Sequence, residues 1–278
     1  MSNRKQFLIN TADRYLDALV KNSPAVLPVT KNVRFTENGH ELKLGEGLWK
    51  TATGITYRQY FIDSAGEQIG FFGVVAEDTE LAHLMIRLKL KDNKISEVET
   101  IVTRKGQASF TNPKALVTPN PIYEEIVAES ERSPRDRMIA IANSYFDGIE
   151  QSSGDNVPFH PDCQRTENGV RTTGNALRNI SIAEGLKYFT YIEKIRSRRF
   201  PIVDEERGFV WSLIVFDIPG NVDKINVPGA PSELNNPRVL NPRSILLAEV
   251  FKIANGLICD IEALMLNVPF GSPSGWPD

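Results

Sequence analysis

The chain has 278 residues, 41% apolar and 24% charged, which is the composition of a globular protein long enough for two domains. A net charge of −3 and a pI near 5.8 leave no basic surface for nucleic acid. The N-terminus lacks the apolar core of a signal segment, and no apolar run approaches membrane length. Cys163 and Cys259 have neither disulfide-framework nor zinc spacing, so a reduced, cytoplasmic protein is expected.

In chain order, Phe7, Leu8, Ala12, Tyr15, Leu16 and Leu19 form one apolar stripe, which predicts an opening helix. "RFTENGHELKL" from Arg34 then reads as strand, turn and strand. Asn38-Gly39 supplies the positive φ of a tight hairpin turn, and His40, Leu42 and Leu44 alternate with Glu41 and Lys43. A short helix is expected around "EGLWK", followed by strands over 57–63, 70–77, 81–91 and 94–104. On the third of these, His83 and Arg87 share a polar face opposite Leu84, Ile86, Leu88 and Leu90, which suits a contact surface between domains or subunits.

The stretch 104–121 carries three prolines without sustained periodicity and reads as a linker, with "IYEEIVAES" as an additional helical segment. Ser133 as N-cap and Pro134 at the first helical position then open a second helix. Its stripe is Met138, Ile141, Ala142, Tyr145, Phe146 and Ile149. Strand 209–216 is apolar on both faces and should be covered on both sides.

The two halves repeat each other. Thr-Glu-Asn-Gly occurs at 36–39 and 166–169, and "YLDAL" at 15 matches "YFDGI" at 145, both 130 residues apart. "GEGL" and "AEGL" lie 138 apart, and the closing strands at 93–100 and 256–263 lie 163 apart, as insertions in the second copy would produce. The expected fold is α+β: two tandem cones, each a strongly curved antiparallel sheet packed on helices. The expected boundaries are a first domain at 1–105, a linker at 106–132 and a second domain at 133–278 with a long insertion at 218–244. Five prolines in that insertion argue for an ordered segment that lids the pocket or joins subunits.

The helix phrases "YLDAL" and "YFDGI", the entry "VPFHPDC" and the closing strands resemble the SnoaL-like branch of the nuclear transport factor two-like superfamily. "ENG", "RRFPIVDEERG" at 198–208 and "FGSPSGW" at 270–276 are similar to tandem members, mostly uncharacterised. The resemblance implies a pocket inside the cone, usually without a cofactor. It spans dehydratases, isomerases, lyases and members with no chemistry, so the reaction is left open.

No dinucleotide or phosphate-loop motif is present, and "GSPSG" has Pro273 where a nucleophile elbow needs serine. His40, His83 and His160 lack metal-ligand spacing, so neither cofactor nor metal is expected. That leaves acid–base chemistry by side chains. The second copy has His160, Asp162 and Arg165 where the first has Thr30, Asn32 and Phe35, so the active pocket is assigned mainly to copy two. Extended backbone before Pro161 would put His160 and Asp162 on one face, as a base and its orienting carboxylate. Arg165 falls one residue out of that phase. The alternative is a surface loop in which Asp162 stabilises a turn. Tyr145 completes the catalytic set, and Arg165, Arg199, Asp217 and Tyr15 are the candidate substrate contacts. For Arg199 and Asp217 the competing reading is ordinary surface, and for Tyr15 a core tyrosine.

The expected function is a cofactor-independent lyase, dehydratase or isomerase acting on a small oxygenated molecule, apolar or aromatic. A non-catalytic small-molecule binder is the alternative, and a purely structural pseudo-dimer a third reading. No nucleic acid or membrane partner is expected, and homo-oligomerisation stays open.

Overall fold

A computed structural model describes residues 3–174, 180–221 and 241–277. Copy one runs α1 (Asn3–Val20), β1 (Val29–Glu37), β2 (His40–Leu42), β3 (Gly54–Asp63), β4 (Gln68–Glu77), β5 (Glu80–Lys91) and β6 (Lys94–Thr103). Copy two runs α2 (Arg135–Glu150), β7 (Phe159–Glu167), β8 (Val170–Arg171), α3 (Ile182–Leu186), β9 (Lys194–Asp204), β10 (Phe209–Ile218), β11 (Arg243–Ala254) and β12 (Leu257–Val268). Each copy is one six-stranded sheet, ordered β2-β1-β6-β5-β4-β3 and β8-β7-β12-β11-β10-β9. The expected all-antiparallel sheet needs one amendment. β1 pairs with β6, and β7 with β12, in parallel, because the chain crosses from the second strand to the far edge and returns through three antiparallel steps that bring the last strand beside the first.

Each sheet curls around its helix. In copy one Leu8, Tyr15, Leu16 and Leu19 of α1 pack on Phe71, Ile86, Leu88 and Val98. In copy two Met138, Ile141, Tyr145 and Phe146 pack on Val210, Leu247, Phe251 and Ile261. The predicted stripes are thus the buried faces. The α2 cap differs by one residue, since Pro134 is the N-cap and no side chain accepts a capping hydrogen bond there. "IYEEIVAES" forms no helix, only two 3-10 turns at Pro121–Tyr123 and Glu129–Glu131, because Pro121 and the extended Ala128 interrupt the run.

The outer faces of the sheets meet each other. Phe61, Phe72 and Met85 from copy one interlock with Ile202, Phe209, Trp211 and Leu213 from copy two, and Tyr123 of the connecting segment joins them. Phe61 makes edge contacts with Phe72, Tyr123 and Phe209 at 5.1, 5.4 and 5.5 Å. β10 therefore lies between two apolar layers, as its two apolar faces require: Val210, Ile214 and Phe216 face its own cone, while Trp211, Leu213 and Val215 face copy one.

The repeated Thr-Glu-Asn-Gly is a clamp on the last strand. Asn38 and Asn168 sit at φ 53 and 46, followed by Gly39 and Gly169 at φ 81 and 72. Asn38 Oδ1 accepts the Val102 N–H at 2.9 Å, and Asn168 Oδ1 accepts the Met265 N–H at 2.8 Å. The backbone N–H groups of the two asparagines donate to Thr100 O (2.8 Å) and Ala263 O (2.9 Å). The two sets of partners are again 163 residues apart.

Candidate functional site

The alternation of β11 decides what the second cone contains. Leu247 and Phe251 face the cone core, so Glu249, two residues from each, faces it as well. It is 2% exposed. On β7, Arg165 lies in phase with buried Cys163 and is 5% exposed. Arg165 Nη1 donates to the Tyr145 hydroxyl at 2.9 Å, and its Nε donates to Thr172 Oγ1 at 3.1 Å and lies 3.3 Å from the Glu167 carboxylate. Tyr145, from α2, lies close enough to Glu249 to act on its carboxyl. Phe189 lies 5.1 Å below the guanidinium, and Phe251 and Phe159 meet the Tyr145 ring at 5.3 and 6.2 Å. One buried cluster thus joins α2, β7 and β11, walled by aromatic rings.

Its electrostatics follow from burial. Desolvation first, and the Glu167 charge second, push the Glu249 carboxyl up to about 8. Burial thus favours the un-ionised acid, and Glu249 Oε2 has no hydrogen-bond partner. Burial also holds the Tyr145 hydroxyl well above its ordinary range. Burial opposes the charge on Arg165, but Glu167 and Tyr145 more than offset it and the guanidinium stays charged. The cluster offers a protonated carboxyl, a phenol and a cation around one point, the equipment that stabilises a developing oxyanion.

The first cone holds the opposite environment. Strand register matches Phe35 to Arg165, since each pairs with the equivalent residue of the last strand (Val98 and Ile261), and matches Ile86 to Glu249 (opposite Thr100 and Ala263). Tyr15 packs edge-on against Trp49 at 5.3 Å. Around it Ala12, Leu16, Ile69, Phe71 and Ile86 close without leaving room for a water.

The residues named from sequence divide accordingly. Tyr145 and Arg165 belong to the cluster. Tyr15 is a core residue of the first cone. His160 and Asp162 do come together, with Nδ1 and Oδ2 3.9 Å apart, but on the outside of β7. Their side chains are 44% and 92% exposed, because they point away from the cone that Cys163 and Arg165 face. Arg199 points to copy one, where it pairs with Glu99 at 2.5 Å. Asp217 pairs with Arg196 at 2.7 Å and accepts from Ser244 at 2.5 Å, on the face of β10 away from the cone. Residues 222–240 of the expected lid lie outside the described residues. Among the described residues no group of three or more His, Cys, Asp or Glu could hold a metal ion. No described helix is long and apolar enough to cross a membrane.

Glu249 and Glu167 escaped the sequence reading. A signal existed for Glu249: it is a lone acid in "SILLAEVFKIA", at the position where copy one has Ile86. Finding it requires carrying the offset of 163 back from the last strand to the one before. Glu167 was hidden inside a phrase both copies share.

The molecule is a tandem of two α+β domains, each a curved six-stranded sheet wrapped on a helix. A model for a family described as Domain of unknown function (DUF8021) matches residues 2–102 and 131–265, and the chain belongs to that family. No curated protein matches it. Among solved structures, a de novo designed protein with a curved β-sheet is 15% identical, covering 37% of this chain and 88% of its own, with a TM-score of 0.31. A phenazine biosynthesis-related protein from Pseudomonas aeruginosa is 12% identical over 47% of this chain and 76% of its own, with a TM-score of 0.28. A protein from Sphaerobacter thermophilus is 13% identical over 35% and 96%, with a TM-score of 0.27.

Proposed function

We propose that the second cone is the active pocket of a cofactor-independent acid/base enzyme of the SnoaL-like branch. The reaction is a lyase, dehydratase or isomerase step on a small oxygenated molecule with an apolar or aromatic body. The observation that carries this reading is Glu249: a buried carboxyl with one oxygen unpartnered, beside a phenol and a guanidinium, in surroundings that favour its acid form. A carboxylic acid held neutral at pH 7 donates a hydrogen bond to charge developing on a substrate oxygen. Tyr145 is the second donor. Arg165 supplies positive potential, and Phe159, Phe189 and Phe251 give the apolar wall for a ring or chain.

The test is a screen of neutral aromatic and aliphatic carbonyl and hydroxy compounds for thermal stabilisation of the protein, followed by turnover of the hits. Glu249→Gln keeps the shape and removes the acid. It is expected to lower kcat about 100-fold or more while leaving binding largely intact. Binding without turnover in either form would instead make the protein a small-molecule carrier.

A further inference from the structure

The glutamate of the repeated Thr-Glu-Asn-Gly does different work in the two copies. In copy one Glu37 holds a helix end. Its carboxylate accepts the Leu48 N–H at 2.8 Å at the 3-10 helix Gly47–Lys50, and it lies so close beneath Gly47 that a Cβ there would come within 2.5 Å of Oε2. The matching glycine of copy two, Gly185 in α3, is free of any such carboxylate. A Cβ there would meet only Ile180, at 3.9 Å. α3 caps itself instead: Ser181 Oγ accepts the Glu184 N–H at 3.2 Å, and the Glu184 carboxylate accepts the Ser181 N–H at 3.1 Å. Copy two thus needs no cap from the strand. Glu167 turns to Arg165 instead, two residues away on the same face of β7, where copy one has Phe35.

We propose that Glu167, the counterpart of the cap Glu37, is the positioning residue of the site: it holds the Arg165 guanidinium against Tyr145 and acts on Glu249 across the same face of the sheet. This rests on the acid/base reading of the second cone and adds the residue that tunes it. The geometry supports both parts. Nε is fixed between Glu167 (3.3 Å) and Thr172 Oγ1 (3.1 Å), which leaves Nη1 aimed at the Tyr145 hydroxyl (2.9 Å). A guanidinium has a planar fork, so fixing one edge fixes the direction of the other. Glu167 and Glu249 pair with Ala263 of β12 from either side, so the two lie in one row of the sheet, where the Glu167 charge offsets that of Arg165. Remove the first and the unbalanced cation favours ionised Glu249.

The test needs no substrate. In protein labelled with ¹³C at glutamate Cδ, the Glu249 resonance is assigned by its loss in Glu249→Gln and followed from pH 4 to 10. Wild type is expected to titrate with a midpoint near 8. Glu167→Gln should move that midpoint to lower pH, and Glu167→Asp, which keeps the charge, should restore most of the wild-type value. For the hits of the screen, the kcat–pH profile of Glu167→Gln should shift in the same direction, whereas a merely structural glutamate would change stability and leave the profile in place. A Glu249 midpoint unmoved by Glu167→Gln in folded protein would overturn the inference and leave the proposed function standing. A wild-type midpoint in the ordinary carboxyl range would overturn both.

Discussion

At the residue scale, the two cones are a natural substitution experiment. The same scaffold carries Phe35 and Ile86 in one copy and Arg165 and Glu249 in the other. Burying charge in this way rarely maximises stability, since apolar residues of similar volume often do as well or better. The triple variant Arg165→Phe/Glu167→Gln/Glu249→Ile, which removes the charges of the second cone together, is therefore expected to match wild type or exceed it by about 1–4 kcal/mol in urea denaturation. It should also abolish binding or turnover. Arg165→Phe alone strands Glu167 beside Glu249 and should cost about 3–5 kcal/mol. If the triple variant proved the less stable of the two, the cluster would be a structural brace and not a site held at the expense of stability.

At the element scale, the Asn-Gly turn was legible in the sequence because only a few residues tolerate positive φ. The clamp it makes was not, because its partners, Val102 and Met265, lie 64 and 97 residues further on. Asn168 is fully buried and also donates from Nδ2 to Met265 O at 3.1 Å and Phe110 O at 3.2 Å. Asn168→Ala loses these bonds and strains φ, at a cost of about 2–4 kcal/mol. Asn168→Gly removes only the strain, so it should recover part of that loss in the same denaturation assay. The site was hidden at this scale too. Pro161 and the extended phase do bring His160 to Asp162. Which face of β7 enters the cone, however, is set by the packing of Phe159, Cys163 and Arg165 against α2 and its neighbours, a tertiary choice that the residue types of the strand do not announce.

At the scale of the whole molecule, His83 and Arg87 do form a contact surface between the copies, as their shared face implied. Arg87 binds Glu99 at 3.0 Å, Glu99 also binds Arg199 of copy two, and Trp276 of the C-terminal tail stacks on Arg87 at 4.7 Å. The repeat offsets showed that two copies exist. That they join through the backs of their sheets depends on tertiary packing of Phe61, Phe72 and Trp211, which periodicity alone cannot separate from core positions.

The same interface makes a pH prediction. Asp260 and Glu262 lie on β12 without an ion-pair partner among the described residues, and burial raises them to about 6 and about 8. The groups around them are Tyr123 and Asn120 of the connector, both hydrogen-bonded to Asp260, Tyr57 of β3, Cys163 of β7 and Arg171 of β8. The Lys252 ammonium opposite is turned away to the Glu125 and Arg207 carbonyls. A carboxyl raised on folding contributes stability that is fully present below its unfolded value and lost as pH rises through the folded one. His83, lowered by burial to about 4, behaves conversely and weakens the fold only as pH falls from 6.5 through about 4. Asp260 and His83 have largely titrated by about pH 6, so between about pH 6 and 8 stability should decline through Glu262 and Glu249, each adding up to about 1.4 kcal/mol per pH unit. Glu262→Gln should flatten that decline in denaturation series from pH 5 to 9. An unchanged slope would mean that Glu262 is not protonated in the fold.

The central claim is that the second cone works through Glu249. The most direct measurement is turnover of a compound recovered from the binding screen by wild type, Glu249→Gln and, as the control in the first cone, Tyr15→Phe. The account predicts a loss of about 100-fold or more in kcat for Glu249→Gln and wild-type rates for Tyr15→Phe. Wild-type turnover by Glu249→Gln, or its loss in Tyr15→Phe at unchanged stability, would contradict it.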